Sequence, residues 1–183
     1  MNVFLIAGPP GIGKSTQSRS FVPEGVAIID QDLAAYQYKR KGFSDYRDIA
    51  SLTTNERIRK FLIAGEDFAL ELNLGFESHY AFLQSIAGFS REINVLLTLF
   101  FTDDIQICLF RAEIRFQNGG HEVKPEVIRE MYDDTLPLLA QHRKMFADIT
   151  LVDVTYEGVT ELTSKQEELP EWVKAFDLQK YLV

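Results

Sequence analysis

Cysteine and long apolar runs are scarce in this sequence, and each scarcity excludes a class of protein. Among 183 residues there is one cysteine, Cys108, so an intrachain disulfide is excluded and a reducing compartment is favoured. No apolar run approaches the roughly 20 residues of a membrane-spanning helix. The first apolar stretch, Val3 to Ala7, is too short for a secretory signal and follows no basic segment. We therefore predict a cytoplasmic protein without a membrane anchor.

Positive charge is also in the minority. The chain has 19 Lys and Arg against 27 Asp and Glu, a formal net charge of −8. A broad nucleic-acid or membrane-surface footprint needs clustered positive charge, so we predict neither partner. The length suits one domain with a full core, over residues 1–183, and the 46% apolar content is typical of globular proteins.

Apolar runs alternate with helical patterns along the chain. Strands are predicted at 3–7, 26–29, 74–76, 93–101 and 149–154, with a weaker candidate at 160–163. Helices are predicted at 14–21, at 54–72, from Asp103 or Asp104 to the glycines at 119–120, at 125–143 and around Trp172. This alternation predicts a three-layer α/β fold with a central, mostly parallel five-stranded sheet and right-handed crossovers.

The strongest motif follows the first strand. It matches G-x-x-x-x-G-K-S in full, with Thr16 next, and consists of Gly8, Pro9, Pro10, Gly11, Ile12, Gly13, Lys14 and Ser15. Glycines let backbone N–H groups surround phosphate oxygens, and the helix N-terminus adds its dipole. Lys14 should reach the β- and γ-phosphates of ATP, and the Ser15 hydroxyl should ligate Mg²⁺. The sequence thus predicts a P-loop fold with ATP and Mg²⁺ as cofactors.

The class of reaction follows from what accompanies this loop. A GTPase would normally carry an Asn-Lys-x-Asp motif that reads the base, and the sequence has none. The chain is also short for a motor domain with separate sensor elements. A kinase that transfers the γ-phosphoryl group to a hydroxyl is therefore favoured.

Acidic residues at predicted strand ends are candidates for the acceptor side. Asp32, just after the second strand, could accept the proton of an acceptor hydroxyl, or could merely cap a helix that begins at Leu33. Glu77 and Ser78, at the end of the predicted third strand, could bind acceptor hydroxyls, and Glu77 could act on Mg²⁺ through a water. The alternative for Glu77 is a solvated loop carboxylate. Asp103 is a weaker candidate for a Mg²⁺-supporting strand end.

Arginines flank a glycine break in the second half of the chain. Arg111 and Arg115 share one helix face, and Arg129 lies one turn into the helix after Gly119-Gly120. Such an arrangement, over about residues 111–129, predicts a helical lid that presents guanidinium groups to phosphates and excludes water. The alternative is an ordinary solvated helix face.

Taken together, these motifs resemble the zeta-toxin-type P-loop kinases. The resemblance covers roughly residues 2–155 and includes the phosphate loop, the run Ile29 to Asp32, the run Phe76 to Ser78, and the lid. In the lid, the order of Arg111, Arg115, Gly119-Gly120-His121, Val123, Ile128-Arg129 and Tyr132 is similar to that of bacterial zeta-like proteins.

The resemblance implies ATP-dependent phosphorylation of a small acceptor, with the sugar of UDP-N-acetylglucosamine as the leading candidate. It implies Asp32 as catalytic base beside Lys14, Glu77 on the acceptor side, Arg115 and Arg129 as lid arginines, and Asp153 near the adenine. Two alternatives stay open. One is a kinase for a free metabolite or nucleoside, and the other is a non-catalytic, nucleotide-dependent module that closes on an antitoxin-like protein.

Overall fold

Six strands and seven α-helices make up the computed structural model, which describes all of residues 1–183. The strands are β1 (Asn2–Ala7), β2 (Ala27–Asp30), β3 (Phe68–Leu72), β4 (Asn94–Phe101), β5 (Asp148–Val154) and β6 (Val159–Glu161). The α-helices are α1 (Lys14–Gln17), α2 (Gln31–Arg40), α3 (Tyr46–Ala64), α4 (Glu77–Ala87), α5 (Ile105–Gln117), α6 (Pro125–His142) and α7 (Glu171–Ala175).

The strands form one sheet in the order β2-β3-β1-β4-β5-β6. The first five strands are parallel, and β6 pairs antiparallel with β5 along the edge. The predicted α/β fold with a mostly parallel sheet is confirmed. The predicted sheet has five strands and the observed sheet has six. The sixth strand, β6, overlaps the weaker strand candidate at 160–163.

Both faces of the sheet are covered. A cluster of 24 buried residues on one face joins the sheet to α3, α4, α6 and α7. On the other face, a cluster of 11 buried residues joins the sheet to α5 and to the segment after β1. Alternate residues of β1 belong to opposite clusters, Leu5 to the larger and Ile6 to the smaller, as expected for a central strand buried on both sides.

The structure corrects the predicted helix at 54–72 and the predicted strand at 74–76. Helix α3 ends at Ala64, where Gly65 adopts the left-handed conformation (φ 68°) and terminates the helix. The next residues, 68–72, form β3 between β1 and β2, and 74–76 belong to the connection into α4. The run Phe-Ala-Leu-Glu-Leu suits a helix or a strand equally, and pairing with two neighbouring strands decides for the strand.

The connections place functional groups at one edge of the sheet. The segments after β1, β2 and β3 all leave from the carboxyl ends of parallel strands, where open α/β sheets bind ligands. At the same edge, Gly75 lies so close to α6 that a Cβ atom there would overlap the Met131 backbone.

No helix of the structure has the length and apolar character needed to cross a bilayer.

Candidate active site

The glycine-rich loop after β1 has a backbone that side chains would not permit. Gly8, Gly11 and Gly13 all have positive φ, at 144°, 83° and 106°. A Cβ atom on Gly11 would overlap the carbonyl oxygen of Cys108 in α5, so the loop is packed directly on that helix. The loop ends in α1, which begins at Lys14, and thus has the strand–loop–helix setting that a phosphate cradle requires. Within the loop, Pro9, Pro10 and Ile12 are buried, whereas Thr16 on α1 is exposed.

The ammonium group of Lys14 is held at the mouth of this loop. It donates hydrogen bonds to the carbonyl oxygens of Gly8 (2.7 Å) and Pro9 (3.1 Å) and to Asn73 Oδ1 (2.7 Å). Burial lowers the pKa of Lys14 to about 8, although nearby carboxylates, Glu71 and Asp32 foremost, oppose that shift. Lys14 therefore carries a positive charge at neutral pH and loses it only under alkaline conditions.

Beside Lys14, two carboxylates converge on the Ser15 hydroxyl. This hydroxyl lies 2.7 Å from Glu71 Oε2 in β3 and 3.3 Å from Asp30 Oδ2 at the end of β2. Burial raises the pKa of Asp30, and repulsion from Glu71 and Asp32 raises it further, against the hydrogen bond from the Leu33 amide. Hydroxyl and carboxylate oxygens are the ligands that Mg²⁺ prefers, and Mg²⁺ commonly uses one or two carboxylates together with substrate phosphates. No group of three or more acidic, histidine or cysteine side chains forms a self-sufficient metal site.

Asp32 does not cap α2. The cap is Asp30, whose Oδ1 accepts a hydrogen bond from the Leu33 amide at 3.0 Å, and the helix begins at Gln31 instead of Leu33. Asp32 lies in the first turn, exposed, and its charge acts on Lys14, His79 and His121. The capping interpretation is therefore wrong, and the Asp32 carboxylate is exposed and close enough to Lys14 for its charge to act there.

Glu77 and Ser78 occupy a different place from the one predicted. They begin α4, five residues beyond the end of β3, and both are exposed. The Glu77 carboxylate lies 2.9 Å from His142 Nε2 and accepts a hydrogen bond from Gln141 at 3.3 Å, so it joins the start of α4 to the end of α6. The strand-end acid beside the loop is Glu71.

The three arginines of the predicted lid are differently engaged. Arg111 donates to the carbonyl oxygens of Ile12 (2.9 Å) and Thr155 (3.3 Å), and thus lies against the phosphate loop. Arg115 turns to the glycine break, where its guanidinium donates to the His121 carbonyl oxygen at 3.4 Å. Arg129 is exposed in the first turns of α6, next to the fully buried Ile128.

Two further acids have roles that the sequence did not indicate. Asp103 accepts hydrogen bonds from the backbone amides of Glu171 and Trp172, both at 2.9 Å, and so caps α7 instead of supporting a metal. The Asp153 carboxylate accepts a hydrogen bond from the indole of Trp172 at 3.1 Å. Asp153 thus contacts α7, and its implied position near the adenine stays a prediction.

Glu71 and Asn73, which contact Ser15 and Lys14, are functional candidates that sequence reasoning missed. A correct prediction of β3 would have identified them, because polar residues at the carboxyl end of a buried parallel strand lie at the edge of the sheet where ligands bind. His79 was also given no role. Its Nδ1 is buried without a hydrogen-bond partner, and burial together with the Lys14 charge lowers the pKa of His79.

Solved structures share the fold. No protein-family model and no curated protein matches the chain. A structure from the PezAT chromosomal toxin–antitoxin system of Streptococcus pneumoniae is similar over 98% of this chain and 77% of its own, with 20% identity and a TM-score of 0.62. A candidate kinase from Chloroflexus aurantiacus matches over 98% and 97%, with 14% identity and a TM-score of 0.61.

A third similar structure is the AvrRxo1-ORF1 and ORF2 complex with ATP, which matches over 97% of this chain and 62% of its own, with 11% identity and a TM-score of 0.63. At these identities the likeness concerns the fold. It confirms the predicted α/β fold and agrees, at the level of the fold, with the resemblance to zeta-toxin-type proteins that the motifs indicate.

Proposed function

We propose that this chain is an ATP-dependent phosphotransferase that transfers the γ-phosphoryl group to a hydroxyl of a small acceptor. The observation that carries the proposal is the pair formed by Ser15 and Glu71, a hydroxyl and a carboxylate 2.7 Å apart at the exit of a complete glycine-rich phosphate loop. Lys14 is on one side of this pair and the unengaged Asp32 carboxylate is nearby. Phosphoryl transfer needs these parts: a phosphate cradle, cation ligands and a proton acceptor.

The chain's own groups divide the work on the nucleotide. The loop amides and the positive charge of Lys14 would hold the β- and γ-phosphates. Lys14 would give up its hydrogen bonds to Gly8, Pro9 and Asn73 and would donate hydrogen bonds to phosphate oxygens instead. Ser15, with Glu71 and Asp30 behind it, would hold Mg²⁺, which neutralises phosphate charge when bound.

On the acceptor side, Asp32 would act as the base. The acceptor hydroxyl oxygen forms a bond to the γ-phosphorus, the bond from phosphorus to the bridging oxygen of ADP breaks, and the hydroxyl proton passes to the Asp32 carboxylate. Because Asp30 satisfies the helix cap, Asp32 is free for this task. Arg115 and Arg129 would stabilise the charge that develops on the phosphoryl oxygens, and Arg111 would support the loop from α5.

For the acceptor, a UDP-N-acetyl-sugar is the leading candidate, on the resemblance of the motifs. A free metabolite or nucleoside is the alternative. A protein partner is part of the proposal. Similar structures come from a toxin–antitoxin system and from a complex of the products of two open reading frames. Co-purification with the product of a neighbouring gene would test that part.

Acceptor-dependent turnover tests the proposed function. ADP release and product mass are measured with ATP and Mg²⁺ for a panel of UDP-sugars, nucleosides and sugars, with the wild type beside Lys14→Ala. We expect release that requires an acceptor and is lost in Lys14→Ala, because that change removes the point charge on the β- and γ-phosphates. Tight ATP binding without turnover on any acceptor would instead support the nucleotide-dependent binding module.

A further inference from the structure

The hairpin of α2 and α3 (residues 31–64) carries side chains that the phosphate loop does not use. A cavity of about 270 Å³ opens between this hairpin and the glycine break of the lid. Its chemically active lining consists of Asp32, Tyr36, Lys39, Tyr46, Arg47 and His121. Asp32 belongs to the first turn of this hairpin, so the other lining residues of α2 and α3 share the cavity with it.

Two cations that line the cavity have no acidic partner. The chain has four ion pairs and they involve other residues, so Lys39 and Arg47 are uncompensated in a protein of net charge −8. The charged groups of both residues contact the ring of Tyr46. Lys39 Nζ lies 5.8 Å and Arg47 Cζ lies 5.7 Å from the centroid of this ring. Each cation thus makes a cation–π contact with the same ring, and Lys39, Tyr46 and Arg47 all line the cavity.

His121 supplies a neutral group on the lid side. Burial lowers the pKa of His121, and the cations Arg47, Arg115 and Lys39 lower it further, against the attraction of Asp32. At neutral pH the imidazole therefore offers a hydrogen bond and no added charge. The lining of the cavity thus combines a carboxylate, two cations, two tyrosine rings and an imidazole.

We propose that this cavity is the acceptor site and that Lys39 and Arg47 make it selective for a hydroxyl compound that carries a phosphate group. The inference rests on the proposed function and decides between its acceptor classes. A phosphate satisfies both cations, whereas a neutral sugar or nucleoside leaves them without a counter-charge. Tyr36 and Tyr46 line the same cavity, and Asp32 receives the hydroxyl.

The size of the cavity limits what it encloses. Its volume of about 270 Å³ lies just below the range for ligand pockets, which is about 300–1,000 Å³. It therefore accommodates a sugar ring with one phosphate, and any larger part of the acceptor lies outside the cavity. A sugar phosphate and a nucleoside-diphosphate sugar share this chemistry, and the experiment separates them.

Matched acceptors test the selectivity. ADP release is measured with N-acetylglucosamine, N-acetylglucosamine 1-phosphate and UDP-N-acetylglucosamine. We expect turnover with the phosphorylated sugars and at least about 10-fold less with the neutral sugar, because one hydrogen bond to a charged group contributes about 1.5–3 kcal/mol. Turnover with UDP-N-acetylglucosamine alone would identify a diphosphate as the bound group. Equal use of the neutral sugar would overturn the proposal.

Variants of the cations provide the second arm. Lys39→Gln and Arg47→Gln should each raise the KM for a phosphorylated sugar about 10-fold or more, with kcat and the KM for ATP little changed. Lys41→Gln is the matched control, since Lys41 is on the same hairpin but lies over Tyr38, outside the cavity. Unchanged KM values in the two cation variants would refute the assignment.

Direct binding separates this inference from the proposed function. The affinity of each phosphorylated sugar is measured by calorimetry without ATP, for the wild type and the same variants. Binding that is lost in Lys39→Gln and Arg47→Gln but kept in Lys41→Gln supports the cavity even if no acceptor is phosphorylated. Turnover on acceptors without any phosphate preference would retain the kinase and reject the cavity assignment. Absence of both binding and turnover for all three sugars would reject the cavity assignment as well.

Discussion

Replacement of Glu71 by glutamine removes one negative charge from the proposed cation site and changes little else. The amide oxygen of glutamine can still accept the hydrogen bond that the Ser15 hydroxyl makes at 2.7 Å. Interactions with a charged partner contribute about 1.5–3 kcal/mol, so loss of the charge should weaken the apparent affinity for Mg²⁺ about 10- to 100-fold. In turnover assays the Mg²⁺ concentration that gives half-maximal rate should rise by that factor.

The same substitution should not harm the folded protein. Burial raises the pKa of Asp30, and repulsion from Glu71 adds to the shift, so the folded chain binds this proton more tightly than the unfolded chain. The associated stability is fully present below the unfolded pKa and is lost as pH rises through the raised pKa. Glu71→Gln lowers the repulsion. We therefore expect equal or higher thermal stability at pH 7, and a smaller loss of stability between acidic and neutral pH.

The assay combines ADP release over a Mg²⁺ titration with thermal unfolding at several pH values. Glu56→Gln is the matched control, because Glu56 forms an exposed pair with Lys60 on α3 and such pairs contribute about 0–1 kcal/mol. Glu77→Gln is the informative comparison, and we expect it to leave the Mg²⁺ requirement unchanged. An unchanged Mg²⁺ requirement in Glu71→Gln, or an equal change in Glu56→Gln, would refute the role of Glu71.

Three further predictions concern the charges around the phosphates. ATP affinity should fall as pH rises through about 8, since Lys14 loses its proton there, and calorimetry should find no such step in Lys14→Ala. Asp32→Asn should keep ATP binding while turnover falls about 10²- to 10⁴-fold, and wild-type turnover in the variant would remove Asp32 from the reaction. Arg115→Lys and Arg129→Lys should each lower kcat, because lysine lacks the guanidinium group that pairs with two phosphate oxygens at once. The control is Arg59→Lys, at an exposed position of α3, where we expect little change in kcat. Equal, small effects on kcat at the three positions would show that Arg115 and Arg129 are ordinary surface charges.

The phosphate loop was predictable from sequence because its determinants are local. Glycines at positive φ, a lysine and a hydroxyl follow one another within eight residues, between a strand and a helix. The start of α6 was predictable for the same reason, with Pro125 in its first turn. In each case one short segment contains all the information that the structure uses.

The carboxylate beside Ser15 could not be predicted in the same way. Residues 68–72 are a strand because β1 and β2 pair with them on both sides, and those partners are distant in sequence. Because the sequence predicts this strand at 74–76, it indicates Glu77 as the acid at the end of the strand, whereas the structure has Glu71 there. The contacts of Asp103 and Asp153 with Trp172 depend likewise on where the C-terminal helix docks, which no local pattern specifies.

The close contact between Gly75 and Met131 has a consequence for the rate at which the site opens. Because α6 is fixed there and Ile128 is fully buried, Arg129 belongs to a helix anchored to the core. Arg111 is likewise tied to the phosphate loop, beside the buried Ala112. The only part of the predicted lid outside the two helices is the connection of seven residues between α5 and α6, from 118 to 124. Loops of this kind rearrange in nanoseconds to microseconds, whereas hinged domains need microseconds to milliseconds. Release of ADP should accordingly be limited by the bonds to its phosphates, and solvent viscosity should have little effect on turnover.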